Sequence, residues 1–183
     1  MAKKGWQHAV LHFWFEELTY DDWFAVRKEL DDTIRDRFEA LHADLARAIP
    51  AEALLEADAA LAAVIVLDQF SRNMFRGSAD AFASDRLAIA VAANALANRF
   101  EEALAGERKH FFYMPFMHSE ELADQKRCVA LFEALGGDGV KYAIEHRDII
   151  ERFGRFPHRN RVLGRPTTKD EQAFLAGQEG FGQ

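Results

Sequence analysis

The chain has 183 residues, 49% of them apolar and 29% charged, with 30 acidic and 23 basic side chains for a net charge of −7. This is the composition of a folded chain of about one domain, not of a disordered one, and its acidity argues against a duplex nucleic-acid binder. One cysteine, Cys128, excludes an intrachain disulfide and a cysteine-built zinc cluster, and no apolar run reaches the roughly 18 residues of a membrane span.

Between Trp6 and Arg76 there is no glycine and one proline, Pro50, which points to long helices. Val10, Phe13, Trp14 and Glu17 recur at helical spacing. Thr19 with Asp22 is a capping box, and the stripe Phe24, Leu30, Ile34, Phe38, Leu41 and Leu45 predicts a helix from Tyr20 to Ile49. Its charges, Arg27, Lys28, Asp31, Asp32, Arg35 and Asp36, mark a solvent side. A second long helix is predicted from Ala51 to Met74. Its middle, Leu61 to Leu67, is apolar all round and so is expected to lie among other helices. An alanine-rich helix follows from Ala79 to Phe100, then a short segment closed by Gly106 and the aromatic run Phe111 to Met117. Ser119 caps a predicted helix from Glu120 to Leu135, ended by Gly136-Gly137, and Asp138 caps another to Phe153, ended by Gly154 and Pro157. Thr168 with Glu171 is a final capping box, and Gly177 stops a short last helix. The expected architecture is all-α: a single domain over 1–183, with about seven helices packed as antiparallel pairs. No 34-residue repeat is legible. Nothing in Met1 to His8 reads as a secretory leader, so a cytoplasmic location is the expectation.

Charge is unevenly placed. His146 to Lys169 holds seven basic residues against two acidic ones, a net +5, which leaves −12 on the rest of the chain. Such a stretch holds an anion or pairs with the protein's own acids, the helix between Asp21 and Asp58 being one source.

Three places put polar groups where the pattern asks for apolar ones, and burying such groups is costly unless they are paired. The first is Asp68 to Arg76, where Asp68 and Arg72 form an (i, i+4) pair and Asn73 and Arg76 follow. The second is His118 to Gln125. There His118 and Glu121 stand three residues apart, and Gln125 sits on the inward stripe between Leu122 and Val129. The third is His146, on the face of Ala143, Ile149 and Phe153, followed by the turn Arg155, His158, Arg159 and Asn160. Metal chemistry is weakly supported: His8 and His12 have (i, i+4) spacing, but no Glu-x-x-His accompanies them. There is no glycine-rich phosphate loop and no Gly-x-Ser-x-Gly elbow. Cys128 is expected to be inert inside a helix.

Leu67-Asp68-Gln69-Phe70-Ser71-Arg72-Asn73-Met74-Phe75-Arg76, Ala81-Phe82 with Asp85, Met114-Pro115-Phe116-Met117-His118-Ser119-Glu120 with Gln125, and His146 followed by Phe153 to Asn160 together resemble the bacterial family named domain of unknown function 924. The resemblance runs from Phe13-Trp14-Phe15 nearly to the end of the chain. It implies an all-helical, tetratricopeptide-like fold and no known activity, so it transfers no catalytic residue. Its signature blocks fall on the three polar places. The expectation is a pocket for a small anion or a peptide carboxylate, with Arg72, Arg76, Arg155 and Arg159 supplying charge and Gln125 and Asn160 orienting the ligand. Asp68, Asn73, Glu121 and His158 complete the candidate lining. The alternatives are a hydrolase or transferase with His118 or His146 as general base and a tetratricopeptide-like interaction scaffold. Nothing in the sequence names a cofactor; no nucleic acid and no membrane are expected as partners.

Overall fold

The computed structural model describes residues 5–177. All regular structure among the described residues is helical. Helix α1 (Trp6–His12) runs without a break into a π turn, Phe13–Glu17; α2 is Tyr20–Phe24 and α3 is Lys28–Arg47. After α4 (Glu52–Leu55), α5 (Ala57–Val64) continues through a π segment, Ile65–Phe70, into α6 (Ser71–Met74). A 3₁₀ turn at Ala79–Phe82 leads to α7 (Asp85–Ala97), and another at Phe100–Ala103 to α8 (Gly106–Met117). Then come α9 (Leu122–Leu135), α10 (Gly139–Phe153), a 3₁₀ turn at Pro157–Arg159, and α11 (Lys169–Ala176).

The element found most clearly by pattern is α5. Every residue from Ala59 to Leu67 is 0% exposed, and α1, α7 and α8 all pack against it, while α3 lies on the π segment and α6. An all-apolar helix is stable only with such a surround. Helices α8, α9 and α10 pack in succession beside it. A smaller core of Ile149, Ile150 and Phe156, with Leu122, Phe153 and Phe174 against it, ties α10 and α11 to the turn between them.

The expected helix from Tyr20 to Ile49 is divided. Ala25 and Arg27 take extended backbone, because α2 is fastened elsewhere: the Trp23 indole donates to the Trp14 carbonyl at 2.8 Å and packs on Trp14, Phe15 and Phe111. The expected helix from Ala51 to Met74 is likewise divided, by an extended Glu56. The aromatic run, left without an assignment by pattern, lies inside α8. Pro115 sits there in the last turn, two residues before the helix ends at Met117; its missing N–H leaves one i→i−4 bond unmade close to the stop. The helix expected from Glu120 starts at Leu122 instead. Ser119 still serves its start: its Oγ accepts from the Glu121 N–H and donates to Asp124. Several boundaries stand as read: the Thr19–Asp22 capping box of α2, the Gly136 end of α9, the Gly154 stop of α10 in left-handed backbone, and the Thr168–Glu171 capping box and Gly177 end of α11. No helix among the described residues is long and apolar enough to cross a membrane.

Candidate functional site

The site begins at the π segment. A π turn inserts one residue into the helical register, and here it carries Asp68, 1% exposed, toward the end of α8. His118, the residue that ends α8, donates from Nδ1 to both Asp68 oxygens at 2.9 Å. Gln69 donates to the same carboxylate at 2.6 Å, and Arg72 stands 2.9 Å from it, the pair expected from (i, i+4) spacing. Arg72 then extends a two-pronged bond at 3.1 Å to Asp85, at the start of α7. Burial alone would raise the Asp68 carboxyl; Arg72 and the His118 ring outweigh it and hold the group ionised, below the usual carboxylate range. Burial and Arg72 push His118 down despite Asp68. The neutral ring therefore keeps its proton on Nδ1, directed at Asp68, and Nε2 is the basic nitrogen.

His146 on α10 lies 6.4 Å from His118, ring centre to ring centre. Its Nδ1–H donates to the Tyr142 carbonyl at 2.8 Å, and burial with His118 nearby pushes it down to about 3. Phe156 packs on His146 and on His158. Burial and the adjacent Arg159 push His158 down to about 4.

Arg159 is 4% exposed. Its guanidinium lies between the Phe82 and Phe156 rings, 4.5 Å from each centre, a favourable cation–π arrangement. Its ionic pairing is poor by comparison. The Asp85 carboxylate stands 3.6 Å away, already committed to Arg72, and Arg159 Nε is buried with no hydrogen-bond partner. Burial and the repulsion of Arg72 lower it to about 10, so it stays charged near neutral pH. Beside it is a cavity of about 60 Å³ whose wall includes Arg72, Arg76, His158, Arg159 and Arg161, with Ala81, Phe82 and Val162 as its apolar lining. An ordered water takes about 10–15 Å³ of such space, so there is room for about four waters or one anion of sulfate size.

The three polar blocks meet in part. Asp68, Arg72, His118, His146, His158 and Arg159 form one cluster. Asn73 and Arg76 turn to Asp31 of α3 at 2.7 and 2.8 Å, although Arg76 still lines the cavity. Asp31, expected on the solvent side, is buried for this reason. Arg155 is taken by Glu171 at 2.7 and 3.0 Å. Asn160 belongs to the same knot: it donates to Glu171 at 3.3 Å and accepts from Arg165, which in turn forks onto Glu120. The basic stretch is thus paired mainly within the C-terminal half, not with the acids between Asp21 and Asp58. Gln125, fully buried, donates to the Met117 and Ser119 carbonyls and braces the turn that holds His118. Glu121 is exposed and makes no pair with His118. Three-residue spacing brings side chains together only within one helix, and here α8 ends before α9 begins.

Pattern reasoning did not assign Asp85 and Phe82 to the site. Asp85 reads as an ordinary first-turn acid, and its only signal was its place beside the Asp68 block. Cys128 is fully buried on α9 and pushed up to about 12 by burial, so its thiol is inert as expected. Among the described residues no group of three or more His, Cys, Asp or Glu side chains is arranged to hold a metal ion.

The family model described as bacterial protein of unknown function (DUF924) matches residues 10–179. A solved structure of a protein of unknown function, ATU0120 from Agrobacterium tumefaciens, is similar at 40% identity with a TM-score of 0.90, over 94% of this chain and 97% of that one. No curated protein matches.

Proposed function

Because the chain belongs to the DUF924 family of bacterial proteins, whose description assigns no activity, we propose from the site alone that it binds a small anion in the arginine-lined cavity. One observation carries this reading: Arg159 is charged, buried and under-paired, with an unpartnered Nε. A buried charge without full compensation is expensive, and an anion in the adjacent cavity supplies what Asp85 does not. A phosphate, a sulfate or the carboxylate of a small acid or peptide end fits the space and the guanidinium forks.

The test is thermal unfolding with and without sulfate. A ligand that binds only the native state raises Tm by mass action. Arg159→Met keeps the stem between Phe82 and Phe156 and removes the charge. The variant should fold, lose the sulfate-dependent rise, and cost little in sulfate-free buffer. An equal rise in natural protein and variant would put the anion elsewhere.

A second reading, a hydrolase or transferase, is favoured by the Asp68–His118 pair, since a carboxylate on Nδ1 leaves Nε2 as a general base. His118→Asn is the discriminating variant. If the natural protein turns over ester or phosphoester substrates and the variant binds sulfate normally but has lost the turnover, the second reading replaces simple binding. If the natural protein shows no turnover on those panels, the second reading is dropped.

A further inference from the structure

The cavity wall divides by chemistry. Among its guanidiniums, Arg72 is committed to Asp68 and Asp85, and Arg76 is held by Asp31 through Nε and Nη2. Arg161 is exposed. Arg159 is the buried one without a carboxylate at hydrogen-bond distance, Asp85 standing 3.6 Å off. Its two faces are covered by Phe82 and Phe156. Guanidinium donors lie in the plane of the group, so a ligand must meet Arg159 edge-on, between the rings. An edge offers two parallel N–H groups, and the planar acceptor that matches them is a carboxylate. The apolar part of the wall is Ala81, Phe82 and Val162, whose side chains offer no donor. Resting on the anion-binding reading, we infer that the ligand is a short aliphatic carboxylic acid, bound as its carboxylate on the edge of Arg159 with its alkyl chain against Ala81, Phe82 and Val162.

A tetrahedral oxyanion suits this wall less well. Two oxygens of a sulfate or phosphate take the fork, and the other two leave its plane. Above and below that plane are aromatic faces, which carry the negative side of the ring quadrupole and repel an anionic oxygen. Toward Ala81 and Val162 the same oxygens would lose water and gain no donor, which is costly. A methyl or ethyl group in that place gains from burial instead. The space of about 60 Å³ sets the length: acetate and propionate fill it, and longer chains must extend beyond it. A peptide end is a poorer fit, because its amide would sit among the same apolar groups.

The experiment is thermal unfolding of the natural protein and of Arg159→Met at pH 7, in the sodium salts of formate, acetate, propionate, hexanoate and sulfate at matched ionic strength. The difference between the two proteins removes general salt effects and gives the Arg159-dependent affinity. That affinity should rise about fourfold per carbon from formate to propionate, as burial of a methylene implies, and level off by hexanoate. Propionate should exceed sulfate, and propionamide, which lacks the charge, should give no shift. Val162→Thr exchanges a methyl for a hydroxyl at a half-buried position; it should flatten the rise and spare formate. Should that variant fold poorly, N-acetylalanine takes its place: as a mimic of a peptide end, it should bind more weakly than propionate. Four results overturn the short-acid assignment and leave anion binding standing. They are equal Arg159-dependent binding of formate and propionate, a rise that continues undiminished to hexanoate, tighter binding of sulfate or N-acetylalanine than of propionate, and an undiminished rise in a folded Val162→Thr. No Arg159-dependent shift with any of these salts overturns both.

Discussion

At the scale of single residues, the protein keeps imidazoles neutral beside arginines, and this has a consequence for stability. His146 and His158 titrate near 3 and 4 in the folded chain but near the ordinary 6.5 once unfolded. Between those values the unfolded state binds protons that the native state refuses, so stability falls as pH drops below about 6.5. Each histidine contributes a slope of about 1.4 kcal/mol per pH unit. Asp68, held low by Arg72 and His118, adds a loss of the same sign at still lower pH. Asp85, raised chiefly by burial, opposes it. Urea midpoints at pH 7.5 and 5.5 should therefore differ clearly, and His158→Gln should shrink the difference. The histidines and arginines of this cluster were legible in the sequence as polar breaks in apolar stripes. Asp68 was legible too, but two further partners were not: Asp85 and Asp31 sit where helices ordinarily carry a first-turn acid or a solvent-side charge, and spacing along one helix says nothing of an arginine arriving from another.

At the scale of elements, packing sets limits that the residue pattern does not display. Gly139, first residue of α10, faces the Phe132 ring so closely that an added Cβ would lie 2.5 Å from it. Phe132 is buried against Tyr113 and His110 and has little room to give. Gly139→Ala should destabilise by about 1–3 kcal/mol through overpacking, although alanine is the better helix former; a chemical-denaturation midpoint measures it. The same contrast explains which elements could be read in advance. The buried α5 and the glycine stop of α10 follow from local chemistry. The break at Ala25 to Arg27 does not, because the Trp23–Trp14 bond and the stack of Trp23 on Phe111 that divide α2 from α3 are tertiary contacts overriding a continuous helical stripe.

At the scale of the whole molecule, stability should be graded from the α5 axis outward. Amides from Ala59 to Leu67 are enclosed on all sides and should exchange with solvent only on global unfolding. Those of α2 and α4, short and bordered by extended residues, should exchange through local opening. The C-terminal knot of Arg155, Asn160, Arg165, Glu120 and Glu171 should protect α10 and α11 as a unit. Hydrogen exchange followed by mass spectrometry reads all three classes in one experiment. Rapid exchange across Ala59 to Leu67 would contradict the central place given to α5.

The π segment also bears on insertions and deletions. Its six residues hold one more than an α-helical path between the same ends would use. Deleting Val66 should therefore let the stretch relax to ordinary helix between unmoved ends. Arg72 and Asn73, beyond it, would keep their faces toward Asp85 and Asp31, while Asp68, inside it, would turn off His118 although it had not been replaced. Conservative substitutions at Val66 should be nearly silent by comparison. The seat of Asp68 is therefore written partly in the length of the chain, and a scan that only exchanges side chains would pass over the position on which it depends.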